Sequence, residues 1–99
     1  TAETPATPGN KLEYPLNWNV IFWNDDSTPM GFVTYLLREI FNHQERGTFG
    51  LLMQMHRDGR AVAGTYIRSI AESRMLFATE VAVKAGYPLR ITIEKEVRA

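Results

Sequence analysis

The sequence predicts an α+β fold in which three helices pack on a three-stranded antiparallel sheet, in the order βααβαβ. Two runs are typical of strands: the β-branched and aromatic "WNVIFW" at 18–23, and the alternating "LRITIE" at 89–94. Apolar residues recur at helical spacing in the intervening chain. Because only a short turn separates the second predicted helix from the strand after it, antiparallel pairing is favoured over a fully parallel sheet.

Residues 1–15, "TAETPATPGNKLEYP", are predicted to form a flexible N-terminal extension. They contain three of the five prolines and only Leu12 and Tyr14 as large apolar residues. Such a segment buries too little apolar surface to offset the entropy of ordering it. The domain core is therefore expected to span 16–99.

The first strand, 18–23, is so uniformly apolar that both of its faces should be covered. Thr28 and Pro29 have the pattern of a helix N-cap followed by proline at the first helical position. Apolar pairs then recur every four residues. These pairs are Phe32 and Val33, Leu36 and Leu37, and Ile40 and Phe41.

A second helix is predicted from the Asn42-x-x-Glu45 capping spacing to Asp58-Gly59. A second strand, "RAVAGTYI", follows at 60–67. Ser69 and Glu72 form a capping box for a third helix, which should stop at Gly86. The last strand, 89–94, alternates apolar and polar residues and should have one solvent-exposed face.

The composition excludes several classes of function. Eleven basic residues balance eleven acidic ones, so the chain has no general electrostatic attraction for nucleic acid. No apolar run approaches the roughly 20 residues of a membrane span, and no secretory signal pattern is present. The lack of cysteine excludes disulfides and thiolate sites. We expect a soluble, compact protein of the cytoplasm or the plastid stroma.

Asn24, Asp25 and Asp26 are three consecutive acceptor side chains between the first strand and the first helix. The simplest interpretation is a polar turn, because these side chains bond nearby backbone N–H groups. The alternative is that they hold a positively charged group. A metal ion is not expected, because adjacent carboxylates rarely converge on one cation without further ligands.

His56 is predicted to lie on the apolar stripe of the second helix. At 100° per residue it falls within about a quarter turn of Phe49, Leu52 and Met53, while Met55 should point away. Such a histidine is either a satisfied core residue or the polar group of a small-ligand pocket. His43, in a loop, is expected to be a plain surface residue.

Signals of catalysis are weak. The sequence contains no Gly-x-Ser-x-Gly, phosphate loop or His-Glu-x-x-His motif. Asp25, Asp26 and His56 could form an acid–base set in a metal-dependent hydrolase, but no nucleophile accompanies them. Arg74 falls near the centre of the apolar stripe of the third helix and should either reach the edge of that stripe or meet a partner. We expect a protein that is not an enzyme and has no cofactor.

The stretch "WNVIFWNDDSTPMGFV" resembles the opening of the ClpS family, in which Asn-Asp-Asp-x-Thr-Pro-Met is a specific motif. The similarity continues through "LLMQMHRDGRAVAG", "AES" and "YPLRITIEKE", covering about residues 18–96. ClpS proteins are adaptors of regulated proteolysis in the N-end rule pathway. They bind proteins whose first residue is Leu, Phe, Tyr or Trp, and deliver them to a AAA+ Clp unfoldase, commonly ClpA.

This resemblance implies a role for each matching residue. Asn24, Asp25 and His56 match contacts to the free α-amino group of the substrate. Asp26 and Thr28 match residues at the pocket entrance that hold the substrate backbone. The remaining matches are apolar: a gate at Met30, which excludes β-branched first residues, and pocket walls at Val33, Leu52 and Leu89.

Three departures from the family pattern bear on function. Leu52 stands where many members have methionine, which is expected to change the preference among first residues. Gly31 replaces a common glutamate and should loosen the gate region. Ser69 replaces an acidic residue of the unfoldase-facing surface, whereas Glu72 and Arg74 resemble charged groups kept there.

The resemblance also implies that the N-terminal extension engages the unfoldase. The alternative is a structural interaction domain that uses this fold without a ligand pocket, as ribosomal stalk domains of similar architecture do.

Overall fold

The computed structural model describes residues 16–97, so the predicted N-terminal extension lies outside the described residues. The predicted fold class and element order are confirmed. The elements are β1 (Asn17–Trp23), α1 (Met30–Glu39), α2 (Glu45–Asp58), β2 (Arg60–Ile67), α3 (Arg68–Ala85) and β3 (Arg90–Lys95).

The three strands form one sheet in the order β2-β1-β3, and β1 is antiparallel to both neighbours. Val20 pairs with Gly64 and Ile21 with Val62, so Ala63 is an extra residue that makes a bulge in β2. The Ala63 carbonyl accepts a hydrogen bond from the His43 ring. His43 is therefore half-buried, and its prediction as a plain surface residue was wrong.

The central strand β1 is covered on both faces, as its sequence predicted. Val20, Ile21 and Phe22 are 0% exposed. Val20 and Phe22 belong to the main core, where the Phe22 ring meets Phe41 edge to face at 5.4 Å between centroids. Ile21 points to the opposite face. Trp23 lies on that face too, and the Arg90 guanidinium is 4.6 Å from the centroid of its ring.

The helix ends were predicted better at the C-terminus than at the N-terminus. Gly59 and Gly86 end α2 and α3 in the left-handed conformation, at φ of 84° and 85°. No predicted side-chain cap is formed: the N-cap positions are Pro29, Gln44 and Ile67, none with a side-chain capping bond. The Thr28 hydroxyl bonds Asp25 instead, Asn42 takes a positive φ of 59°, and Ser69 lies inside α3.

The predicted buried faces of α2 and α3 were displaced. Met55 is 4% exposed and lies in the core, whereas Phe49 and Met53 are 65% and 45% exposed, so the expectation that Met55 points away was wrong. On α3 three alanines form the buried face, and the larger apolar residues beside them stay exposed. Because alanine has a small side chain, the helix can approach the sheet closely along this face. The buried alanines are Ala71, Ala78 and Ala82.

Candidate functional site

A cavity of about 200 Å³ opens where the loop after β1 meets the start of α1 and the end of α2. Eight of the nine residues predicted for the amine site, entrance, gate and walls line it. The ninth, Leu89, is 5% exposed in the core and is not a lining residue. The lining residues are Asn24, Asp25, Asp26, Thr28, Met30, Val33, Leu52, Met55 and His56.

The backbone brings these residues together through one hydrogen bond that extends the sheet. The Asn24 N–H donates to the Gly59 carbonyl at 2.9 Å, directly beyond the last β1–β2 pair of Trp23 and Arg60. This bond holds the loop against the C-terminal end of α2, where His56 lies in the last turn. Residues distant in the chain thus share one wall.

Asp25 organises the polar end of the cavity. Its Oδ1 accepts hydrogen bonds from the N–H groups of Ser27 and Thr28, each at 2.8 Å, and its Oδ2 accepts the Thr28 hydroxyl at 2.8 Å. Burial raises the pKa of Asp25, but these three bonds outweigh burial and lower the pKa below its usual value. Asp25 therefore carries a negative charge at neutral pH. The turn interpretation of this residue is correct, and its Oδ2 retains lone-pair capacity toward the cavity.

His56 is exposed, so it is not the satisfied core histidine that was one of the two alternatives. Within residues 16–97 neither of its ring nitrogens has a hydrogen-bond partner. Together with the Asn24 amide and two carboxylates, it gives the polar end several acceptors. No lysine or arginine lines the cavity, so this end attracts a small cation.

The other end of the cavity is apolar. Val33 and Met55 are each 4% exposed and form its buried part, with Leu52 half-buried beside them. Met30, at the mouth, is 64% exposed. A Cβ at the neighbouring Gly31 would have nothing within 4 Å, so the surface around the mouth is open. A ligand that fits both ends has a cationic group close to an apolar group.

Met55 is the lining residue that sequence reasoning missed. The sequence could have indicated this residue, because Met55 follows Leu52 by three residues and therefore shares a helix face with it.

The metal-dependent alternative gains no support: within residues 16–97 no three acidic, histidine or cysteine side chains are grouped closely enough to hold a metal ion. The described helices also include none long and apolar enough to span a membrane.

The three residues predicted for unfoldase contact lie on α3, away from the cavity. Ser69 and Glu72 are exposed. Arg74 is half-buried: its guanidinium donates to the Ile40 carbonyl at the end of α1 and lies 5.2 Å from the centroid of the Tyr66 ring. Arg74 therefore has an intramolecular role whatever else it contacts.

Comparison with known proteins gives one consistent family. The family model described as "ATP-dependent Clp protease adaptor protein ClpS" matches residues 13–92. The ATP-dependent Clp protease adapter protein ClpS of Deinococcus radiodurans is 37% identical over 93 residues, covering 94% of this chain and 82% of that protein. The ClpS of Leptothrix cholodnii is 34% identical over 84 residues, covering 85% of this chain and 73% of that protein.

A solved structure of the same family has the same fold. The structure of Agrobacterium tumefaciens ClpS2 bound to L-phenylalaninamide superposes with a TM-score of 0.78 at 39% identity, covering 83% of this chain and 99% of that one. The family consists of adaptors and not catalysts, which confirms the expectation that this protein is not an enzyme. The chain belongs to the ClpS family of adaptor proteins of the ATP-dependent Clp protease.

Proposed function

We propose that this adaptor binds the free α-amino group and the bulky apolar first residue (Leu, Phe, Tyr or Trp) of N-degron proteins, and delivers them to a ClpA-type AAA+ unfoldase. One observation carries the proposal: the cavity has acceptors at one end and apolar walls at the other. The ligand of the related ClpS2, phenylalaninamide, has this combination of a free amine and an apolar side chain.

The polar end suits an α-ammonium group. That group is a cation with three donors, and Asn24, Asp25 and His56 offer an amide oxygen, a carboxylate oxygen and an imidazole nitrogen to accept them. Acetylation would remove both the charge and donors, leaving acceptors without partners, which costs more than the lost bonds. His56 accepts only while one ring nitrogen is unprotonated, so its protonation should weaken binding.

The apolar end supplies the preference for the first residue. Burying a Leu or Phe side chain against Val33, Leu52 and Met55 contributes roughly 1.5–3 kcal/mol. Met30 at the mouth acts as the gate against β-branched first residues, with Thr28 and Asp26 contacting the substrate backbone there. We also propose that Leu89 supports the walls from behind, because it is buried in the adjoining core.

Delivery requires a surface that stays free while the cavity is occupied. The outer face of α3 is suitable, because Ile70 and Phe77, seven residues apart on one side of the helix, are 40% and 57% exposed. Ser69 and Glu72 are exposed on the same helix. We propose that a monomer in the cytoplasm presents this face to the N-terminal domain of the unfoldase. Loss of unfoldase binding in an Ile70→Ala/Phe77→Ala variant that still binds peptide would support this part of the proposal.

A fluorescence-anisotropy titration tests substrate binding directly. Peptides that begin with Phe or Leu should bind, and the same peptides with Ala first or with an acetylated amine should not. Equal affinity for the acetylated peptide would contradict the role of the acceptor cluster. Equal affinity for Ala-first and Phe-first peptides would contradict the role of the apolar walls.

A further inference from the structure

A second depression continues from the cavity along the seam between α1 and α2. It encloses about 220 Å³, and we call it the α1–α2 groove. Leu52 lines both spaces, so they are neighbours across this side chain. The groove is lined by Thr34, Arg38, Glu45, Thr48, Phe49 and Leu52.

One residue of the groove is unusual for a surface with no ligand. Phe49 is 65% exposed, and it also lines a further surface depression together with Gln44, Glu45 and Arg46. An aromatic ring left in solvent beside a groove is a typical anchor for an incoming chain.

The course of the groove matches an extended chain that leaves the cavity. From the cavity outward, residue numbers rise on α1, from Met30 to Thr34 to Arg38, and fall on α2, from Leu52 to Glu45. Seven residues of helix span about 10 Å, the length of about three extended residues. The groove thus has the length for the second to fourth residues of a peptide whose first residue fills the cavity.

We infer that the α1–α2 groove binds residues two to four of the substrate, with an apolar side chain at residue three or four packed on Phe49. This inference rests on the proposed function, because the occupant is the continuation of the same substrate chain. It adds a second determinant of substrate choice to the identity of the first residue. Arg38 and Glu45, of opposite charge, flank the groove and give it no net preference for an acidic or a basic segment.

The test compares long and short ligands that share the same first residue. Phenylalaninamide, as an unlabelled competitor, occupies only the cavity. Labelled Phe-first peptides with either Leu or Gly at residues three and four also reach the groove. The wild-type chain should bind the Leu peptide more tightly than the Gly peptide. Phe49→Ala should reduce this advantage by about tenfold and leave phenylalaninamide binding unchanged. Leu76→Ala, which truncates an apolar residue 61% exposed on α3, is the matched control and should change neither.

Equal affinity of the wild-type chain for the Leu and Gly peptides would overturn the groove while leaving the proposed function standing. Failure of phenylalaninamide to bind the wild-type chain would overturn the proposed function, and this inference with it. Equal loss of all three ligands in Phe49→Ala would also overturn the groove, because it would indicate a disturbed cavity.

Discussion

At the polar end of the cavity, five residues in succession, 24–28, form a turn held by their own hydrogen bonds, whereas the apolar end takes side chains from two helices. Apart from His56, the polar end is a local structure in which Asp25 bonds residues two and three positions ahead. The apolar end exists only when α1 and α2 pack, because Val33 and Met55 are core residues as well as walls. We therefore expect changes at the polar end to affect binding more than stability, and changes at the apolar end to affect both.

The largest effect on binding is expected for Asp25→Ala. It removes a carboxylate from the amine site, and affinity for a Phe-first peptide should fall by at least about 100-fold. The measurement is an anisotropy titration, with thermal unfolding to establish that the fold is retained. Asp26→Ala, the neighbouring and exposed carboxylate, is the matched control and should have a smaller effect. Comparable losses in the two variants would show that only the total charge matters.

Met55→Ala tests the apolar end. Because this side chain is 4% exposed in the core, its truncation should lower the free energy of unfolding by roughly 2–5 kcal/mol. Met53→Ala, on the same helix but 45% exposed, should cost much less. Urea denaturation of both variants gives the difference. Equal stability of the two would contradict the assignment of Met55 to the core, and with it the contrast between the two ends.

Leu52→Met changes a wall without emptying it. The substitution nearly conserves volume and costs less than about 1.5 kcal/mol of stability. An unbranched, flexible side chain should change the ranking of Leu, Phe, Tyr and Trp as first residues by less than about tenfold each. Competition titrations with four peptides differing only in their first residue measure this. An unchanged ranking would show that leucine and methionine are equivalent at this wall.

The smallest effect is expected for the stability of Asp25→Asn. The folded-state pKa of Asp25 is lowered, so its charge stabilises the fold above the ordinary pKa of an aspartate, about 4, and this contribution disappears as the pH falls through the lower folded value. Loss of the charged acceptor should cost roughly 0.5–1 kcal/mol at pH 7. The free energies of unfolding of variant and wild type should converge as the pH falls through the lowered folded-state pKa of Asp25. A constant difference across this range would contradict the stabilising role of the charge.

The sequence predicted the local features of the molecule well. The strand 60–67 and the glycines at 59 and 86 depend on backbone preferences that neighbouring residues determine, and the structure agrees. The polar end was recognisable because its residues other than His56 are close together in the sequence. Local chemistry left two interpretations of Asn24, Asp25 and Asp26 open, a turn and a cation site, and the proposed ligand came from the resemblance to the ClpS family.

Features set by packing were predicted less well. His56 was predicted on the apolar stripe of α2, but it is exposed and lines the cavity. The stripe was counted from the sequence alone, which does not show which neighbours cover each side of the helix. The expected caps at Thr28, Asn42 and Ser69 failed because side chains that can cap a helix can also bond elsewhere. For Thr28 the competing partner, Asp25, lies three residues away.

The hydrogen bond from Asn24 to Gly59 has a consequence for folding order. It joins segments 35 positions apart (59 − 24) and forms only once β1 and β2 are aligned in their native register. A slip of one residue would place every side chain of β1 on the opposite face and move the loop away from α2. Long-range strand pairing of this kind forms late and slowly compared with helices. A partly folded chain should therefore have its helices but lack the formed cavity.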